Sequence, residues 1–343
     1  MRVLFRADAS IARGSGHIMR CLTLAKALQQ RGAVCDFACR VESGHLIAWL
    51  QQQGFNVISL ISEPLNEEHE SQLLLAALQH DYRLLIVDHY QLTATFCQLL
   101  RQRCQYVMVI DDLANRALDC ELLLDQNLLP DQHLRYQGLI PAHCRTLLGP
   151  KFALLRDEFY SASATPLANH LLISFGGSDA DNLTSMAINA LVMLKPRGIT
   201  ADIVIGANNP WRAMLQRQLA NLPDVQLHIQ TTSMATLMRK ARLMLGAGGT
   251  THWERSICGL PGLVVTVAEN QQATTAYLNK LGACVWLGQA AEMSAEFFAE
   301  QLCYYLSQPA LLDEIGRRAK NLVPDNAGTP LVVEQILNVV ANR

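Results

Sequence analysis

Short apolar runs recur along the chain, and each is followed by a stretch whose apolar positions fall at helical spacing. That alternation predicts βαβ units and a parallel sheet, because strands covered by helices on both faces are apolar throughout. In the first series the predicted strands are residues 3–6, 35–38, 57–60, 84–87, 106–110 and 122–124. Residues 18–31 carry Leu22, Leu24, Ala25 and Leu28 and stop at Gly32, which predicts a helix between the first two strands.

The pattern breaks at residues 161–166, a small, polar, Pro-terminated stretch that reads as a linker. A second series follows, with strands predicted at 171–175, 202–205, 225–229, 243–245, 263–267 and 284–287, and a helical pattern from Ser294 to a last helix over 331–340. The expected domains are therefore 1–160 and 168–343, with the last helix crossing back onto the first. A chain of 343 residues also exceeds what one hydrophobic core usually serves. The fold class expected is α/β, with two Rossmann-like domains and a cleft between them.

Composition narrows the partners. Charged residues are 17% of the chain and the net charge is −2, so nothing marks the protein as a binder of nucleic acid or of an anionic membrane. Arg2, Arg6 and Asp8 interrupt the first apolar run before it reaches signal-sequence length, and no run is long enough for a membrane helix. The ten cysteines lack close CxxC pairing and read as reduced core thiols. The expectation is a cytoplasmic monomer acting on a small molecule and water, with no metal and no cofactor.

In open α/β sheets ligands gather beyond the carboxyl ends of the strands. The first strand leads through Arg6 and Asp8 to Gly14-Ser15-Gly16-His17, where the glycines let a ligand approach the backbone. There the positive end of the helix dipole disfavours a protonated His17, leaving a ring able to accept a proton from water. A dinucleotide fingerprint is excluded, since Met19 stands where the third glycine belongs. Other strand ends deliver Asp88-His89-Tyr90, Asp111-Asp112 and Asp125-Gln126-Asn127. Tyr90 and Asn127 offer hydrogen bonds to sugar hydroxyls or acetamido groups, and Arg6, Asp8, Gly14, Gly16 and Asp111 are expected to bind substrate with them. Which carboxylate reaches His17 stays open.

In the second half Gly176-Gly177 and Gly248-Gly249-Thr250 follow strands and precede helices, where amide N–H groups suit a diphosphate. No Walker lysine follows. Glu254 is expected to accept hydrogen bonds from ribose hydroxyls, and Asn270 with Gln271 to line the same nucleotide site. Each of these residues also has an ordinary role as a cap or a helix-start charge.

Taken together, residues 5–8, Gly14 to Arg20, Asp88-His89-Tyr90, Asp111-Asp112, residues 175–179 and Gly246 to Glu254 resemble the UDP-2,4-diacetamido-2,4,6-trideoxy-β-L-altropyranose hydrolases of pseudaminic acid biosynthesis. Those enzymes resemble the glycosyltransferase MurG in having a GT-B fold. The resemblance implies that UDP is held by the C-terminal half and the sugar by the N-terminal half. Water would attack the anomeric carbon with inversion and without a metal. It places the base on His17, the nucleotide-contacting glutamate on Glu254 and an Asn-Gln pair on Asn270 and Gln271. The product would feed flagellin glycosylation or surface polysaccharide. The rival of the same fold is a UDP-sugar glycosyltransferase using the same base on an acceptor hydroxyl. A non-catalytic nucleotide-sugar binder would need no base at all.

Overall fold

The computed structural model describes every residue except 12, 62–65, 162–163, 196–197 and 342–343. It divides into two compact units, Met1–Leu155 with Asn326–Arg343, and Arg156–Asp325. The first unit thus ends ahead of the predicted linker, of which residues 162–163 lie outside those described. The chain's last segment belongs to the first unit.

The first unit is built on a seven-stranded parallel sheet. Its strands are β1 (Arg2–Ala7), β2 (Val34–Arg40), β3 (Asn56–Leu60), β4 (Tyr82–Asp88), β5 (Cys104–Ile110), β6 (Leu122–Asp125) and β7 (Arg145–Leu148), in the order β3-β2-β1-β4-β5-β6-β7. Alternate residues feed opposite faces: Val3, Phe5, Leu84 and Ile86 join one apolar cluster, while Leu4, Leu85 and Val87 join another. That two-sided burial is why the predicted runs were continuously apolar. The sequence reading has no counterpart of β7, a short edge strand whose Arg145 and Thr146 are exposed and leave little apolar signal.

Helix α1 (Gly16–Gln30) buries Ile18, Cys21, Leu22, Leu24, Ala25 and Leu28 against the first cluster and ends before Gly32 at φ +79°. The last helix, α13 (Thr329–Ala341), completes that cluster with Val332, Val333, Ile336 and Val340. Its start is fastened by Thr329, whose hydroxyl accepts from Leu155 N–H and donates to the Leu155 carbonyl, both at 2.8 Å.

The second unit repeats the plan with six parallel strands. These are β8 (His170–Ser174), β9 (Thr200–Ile205), β10 (Val225–Ile229), β11 (Leu243–Ala247), β12 (Gly262–Thr266) and β13 (Val285–Gln289), in the order β10-β9-β8-β11-β12-β13. In each sheet the order reverses at a pair of central strands, β1 with β4 and β8 with β11. Those switch points are where such sheets bind ligands. Among the described residues no helix is long and apolar enough to cross a membrane.

Candidate functional site

At the switch point of the first unit the carboxyl ends of β1 and β4 lie side by side, with Ala7 in register with Asp88. The chain leaving β1 makes a small loop closed by Gly14 N–H donating to the Ser10 carbonyl at 2.8 Å. Gly14 sits at φ +74°, a conformation side chains rarely adopt, and among the described residues none lies within 4 Å of a Cβ added to Gly14 or Gly16. The loop therefore presents open backbone. Gly16 opens α1 and His17 is its second residue, with a side chain 14% exposed.

Asp88, wholly buried, is the carboxylate that reaches the histidine. Its Oδ1 lies 2.6 Å from His17 Nδ1. Arg20, one turn along α1, donates to both oxygens of Asp88 at 2.5 and 2.6 Å. Burial opposes the charge on Asp88, but Arg20 and then His17 outweigh it and hold the carboxyl well below the usual range. An ionised Asp88 accepts the Nδ1 proton, fixing the tautomer that leaves the Nε2 lone pair for chemistry. The Tyr90 ring packs edge-on against His17 with centroids 4.7 Å apart, and its hydroxyl donates to Asp112 Oδ2 at 3.2 Å. Burial, then Asp112, pushes the Tyr90 phenol above its usual range, so it serves as a donor.

Arg6 and Asp8 stand behind this cluster. Arg6 is fully buried and donates to Asp8 Oδ1 and Oδ2 at 2.6 and 2.9 Å and to Glu70 Oε1 at 2.7 Å. Asp8 also accepts Arg40 N–H at 2.7 Å and lies 3.3 Å from His89 Nε2. That burial and those partners place Arg6 and Asp8 behind the loop that carries His17, where the sequence reading has them as substrate-binding groups. Asp111 is similarly buried and enclosed, accepting from Ala114 N–H at 2.8 Å, Arg116 at 2.6 Å and the Tyr136 hydroxyl at 3.0 Å. Asn127, half-buried beyond β6, donates its N–H to Asp125 Oδ1 at 3.0 Å. Burial raises the Asp125 carboxyl to about 6 against the opposing charge of Arg135.

The second unit brings its glycine turns to the corresponding point. Gly176 adopts φ +90° after β8, and a Cβ on Gly206 would come within 2.6 Å of the Gly177 carbonyl, so the two turns pack backbone to backbone. Gly249 adopts φ +77°, and Thr250 precedes α9 (Thr251–Ile257) at the N-cap position, with no side-chain cap hydrogen bond among the described residues. A Cβ on Gly248 would meet His252 Nε2 and Thr275 Oγ1 at 3.1 Å and Gln271 Oε1 at 3.2 Å, so Gln271 lies against this turn. Gln271 and the exposed Asn270 fall in the first turn of α10 (Glu269–Lys280), one step past the predicted turn.

Glu254 meets a partner the sequence did not suggest: Arg156 Nη2 donates to its Oε1 at 3.1 Å. Burial raises the Glu254 carboxyl, with Arg156 opposing. Other supporting groups lay outside the sequence reading. Glu70, Arg40 and Arg156 carry no local signal, whereas Asp88, Arg20 and Asp112 stood in motifs and lacked only their partners. Among the described residues no group of three or more His, Cys, Asp and Glu is placed to hold a metal ion.

No family model matches the chain. It is 27% identical over 284 residues to UDP-2,4-diacetamido-2,4,6-trideoxy-β-L-altropyranose hydrolase of Campylobacter jejuni, covering 82% of this chain and 97% of the hydrolase. It is 24% identical over 329 residues to the spore coat polysaccharide biosynthesis protein SpsG of Bacillus subtilis, covering 94% of each. Among solved structures, MurG of Acinetobacter baumannii aligns with a TM-score of 0.66 at 17% identity, covering 98% of this chain and 99% of that one. The fold is GT-B, and the resemblance drawn from the motifs holds along most of the sequence.

Proposed function

We propose that the chain hydrolyses UDP-2,4-diacetamido-2,4,6-trideoxy-β-L-altropyranose to UDP and the free sugar, a step of pseudaminic acid biosynthesis. The observation that carries this reading is the alignment to the C. jejuni hydrolase, which runs through 97% of that enzyme's length. Likeness to MurG is one of fold and does not choose between water and an acceptor hydroxyl. In the first unit His17 Nε2 takes a proton from water as the oxygen attacks the anomeric carbon, with inversion. Asp88 holds the ring and balances the charge that forms on it, while Arg20 keeps Asp88 ionised. Tyr90 and Asn127 face the sugar. In the second unit the amides of Gly176, Gly177, Gly248, Gly249 and Thr250 take the diphosphate, compensating the charge left on departing UDP.

Purified protein incubated with a panel of UDP-sugars should release UDP from the diacetamido sugar without an acceptor. Release that required an acceptor would replace the hydrolase with a transferase. Because amide dipoles and not a cation are proposed to hold the diphosphate, EDTA should leave the rate unchanged. Activity abolished by EDTA and restored by a divalent ion would defeat that part of the reading.

Glu254 is proposed to accept ribose hydroxyls once nucleotide displaces its contact with Arg156. Each lost charge-assisted hydrogen bond costs about 1.5 kcal/mol or more, so Glu254→Ala should weaken UDP roughly tenfold or more in calorimetric titration without sugar. A 2′,3′-dideoxyribose analogue should be nearly indifferent to the change. Equal UDP affinity in folded wild type and variant would leave Glu254 as the structural partner of Arg156.

A further inference from the structure

Two cysteines away from both switch points lie against each other in the first unit. Cys120 is fully buried just ahead of β6, and the half-buried Cys144 immediately precedes β7. Both thiols are free and their sulfurs are 3.6 Å apart. The backbone is tied beside them: Arg145 N–H donates to the Glu121 carbonyl and Cys144 N–H to the Pro141 carbonyl, each at 2.9 Å. A disulfide needs a sulfur separation of roughly 2.0 Å, so side-chain rotation with small backbone adjustment has about 1.6 Å to close.

We propose that Cys120 and Cys144 form a redox-modification site, converted to an intramolecular disulfide by a small-molecule disulfide such as oxidised glutathione. Hydrogen bonding with Cys144, then burial, pushes the Cys120 thiol far up, so the more accessible Cys144 meets the reagent first. Its thiolate attacks one sulfur of the oxidant and expels a glutathione thiolate. Cys120 then gives up its proton and attacks the Cys144 sulfur of the mixed disulfide, expelling the second. Two protein thiols are oxidised, one glutathione disulfide is reduced to two thiols, and the two protons end on glutathione.

The bridge would close the segment that runs out along β6 to Asp125 and returns past Arg135 and Tyr136. Those two side chains hold Asp125, and Tyr136 also donates to Asp111 at 3.0 Å. Covalent closure therefore fixes the segment behind the strand ends of β5 and β6 and restricts the unfolded chain.

The test is to treat the full chain with oxidised glutathione under native conditions and map peptides without reduction. A single peptide linking Cys120 to Cys144, two hydrogens lighter than its reduced parts, is expected, with a Tm increase of roughly 5 °C that dithiothreitol reverses. Cys144→Ser, a change at the more accessible partner, should form no linked peptide and show no shift. Glutathione retained on Cys144, scrambled pairing, or two unmodified thiols would each overturn the proposal. None of these readouts depends on the hydrolase reading.

Discussion

His17→Asn should lower turnover of the UDP-sugar by about a hundredfold to ten-thousandfold, because general-base assistance is worth that range, while UDP affinity stays near that of the wild type. The ring lies between an ionised, buried Asp88 2.6 Å away on Nδ1 and the near-perpendicular Tyr90 ring, and that arrangement turns Nε2 over to chemistry. Asparagine approximates the ring's polarity but supplies no basic lone pair. Nucleotide binding should survive since the proposed UDP contacts belong to the second unit. The measurement is UDP release under saturating substrate, paired with calorimetric titration of UDP. Retention of more than about a third of wild-type turnover, far outside the range for general-base loss, would end the base assignment.

Replacing Asp88 by Asn should cost turnover on the order of a hundredfold, by an indirect route. The carboxylate accepts at both oxygens, from His17 and Arg20 at Oδ1 and from Arg20 at Oδ2. An amide must point its NH2 at one of these donors. Facing His17, it imposes the opposite tautomer and puts a proton on Nε2. In either orientation the NH2 meets an Arg20 N–H, donor against donor, and the guanidinium loses its counter-charge. That loss also destabilises the fold, since breaking a buried ion pair typically costs about 3 to 5 kcal/mol. Thermal unfolding and UDP titration therefore accompany the kinetics. A folded variant with lowered kcat and nearly unchanged KM fits a positioning role. Wild-type kcat in a folded Asp88→Asn protein would remove Asp88 from the mechanism.

Much of this architecture was legible in the chain. All strands but β7 followed from apolar runs, because burial on both faces of a parallel sheet imposes a pattern visible within a few residues. The turns at Gly14, Gly176 and Gly249 were equally local, since positive φ favours glycine. Placing Asp88 at a strand end and His17 past the turn that follows β1 needed only those strands and the rule that ligands gather there.

What joins them required the tertiary structure. His17 and Asp88 are 71 residues apart, and they meet because β1 lies beside β4, an adjacency written in no local period. Arg6 reads locally as a substrate-binding group, and only the fold brings Glu70, 64 residues away on α3 (Glu67–Ala77), against it. The same holds for Arg156 on Glu254 and for Cys144 against Cys120. Periodicity reports whether a residue is buried, through a free energy that each segment feels by itself. Which charged or thiol group shares that burial depends on strand order and helix placement, and those are decided by packing among segments far apart in the chain.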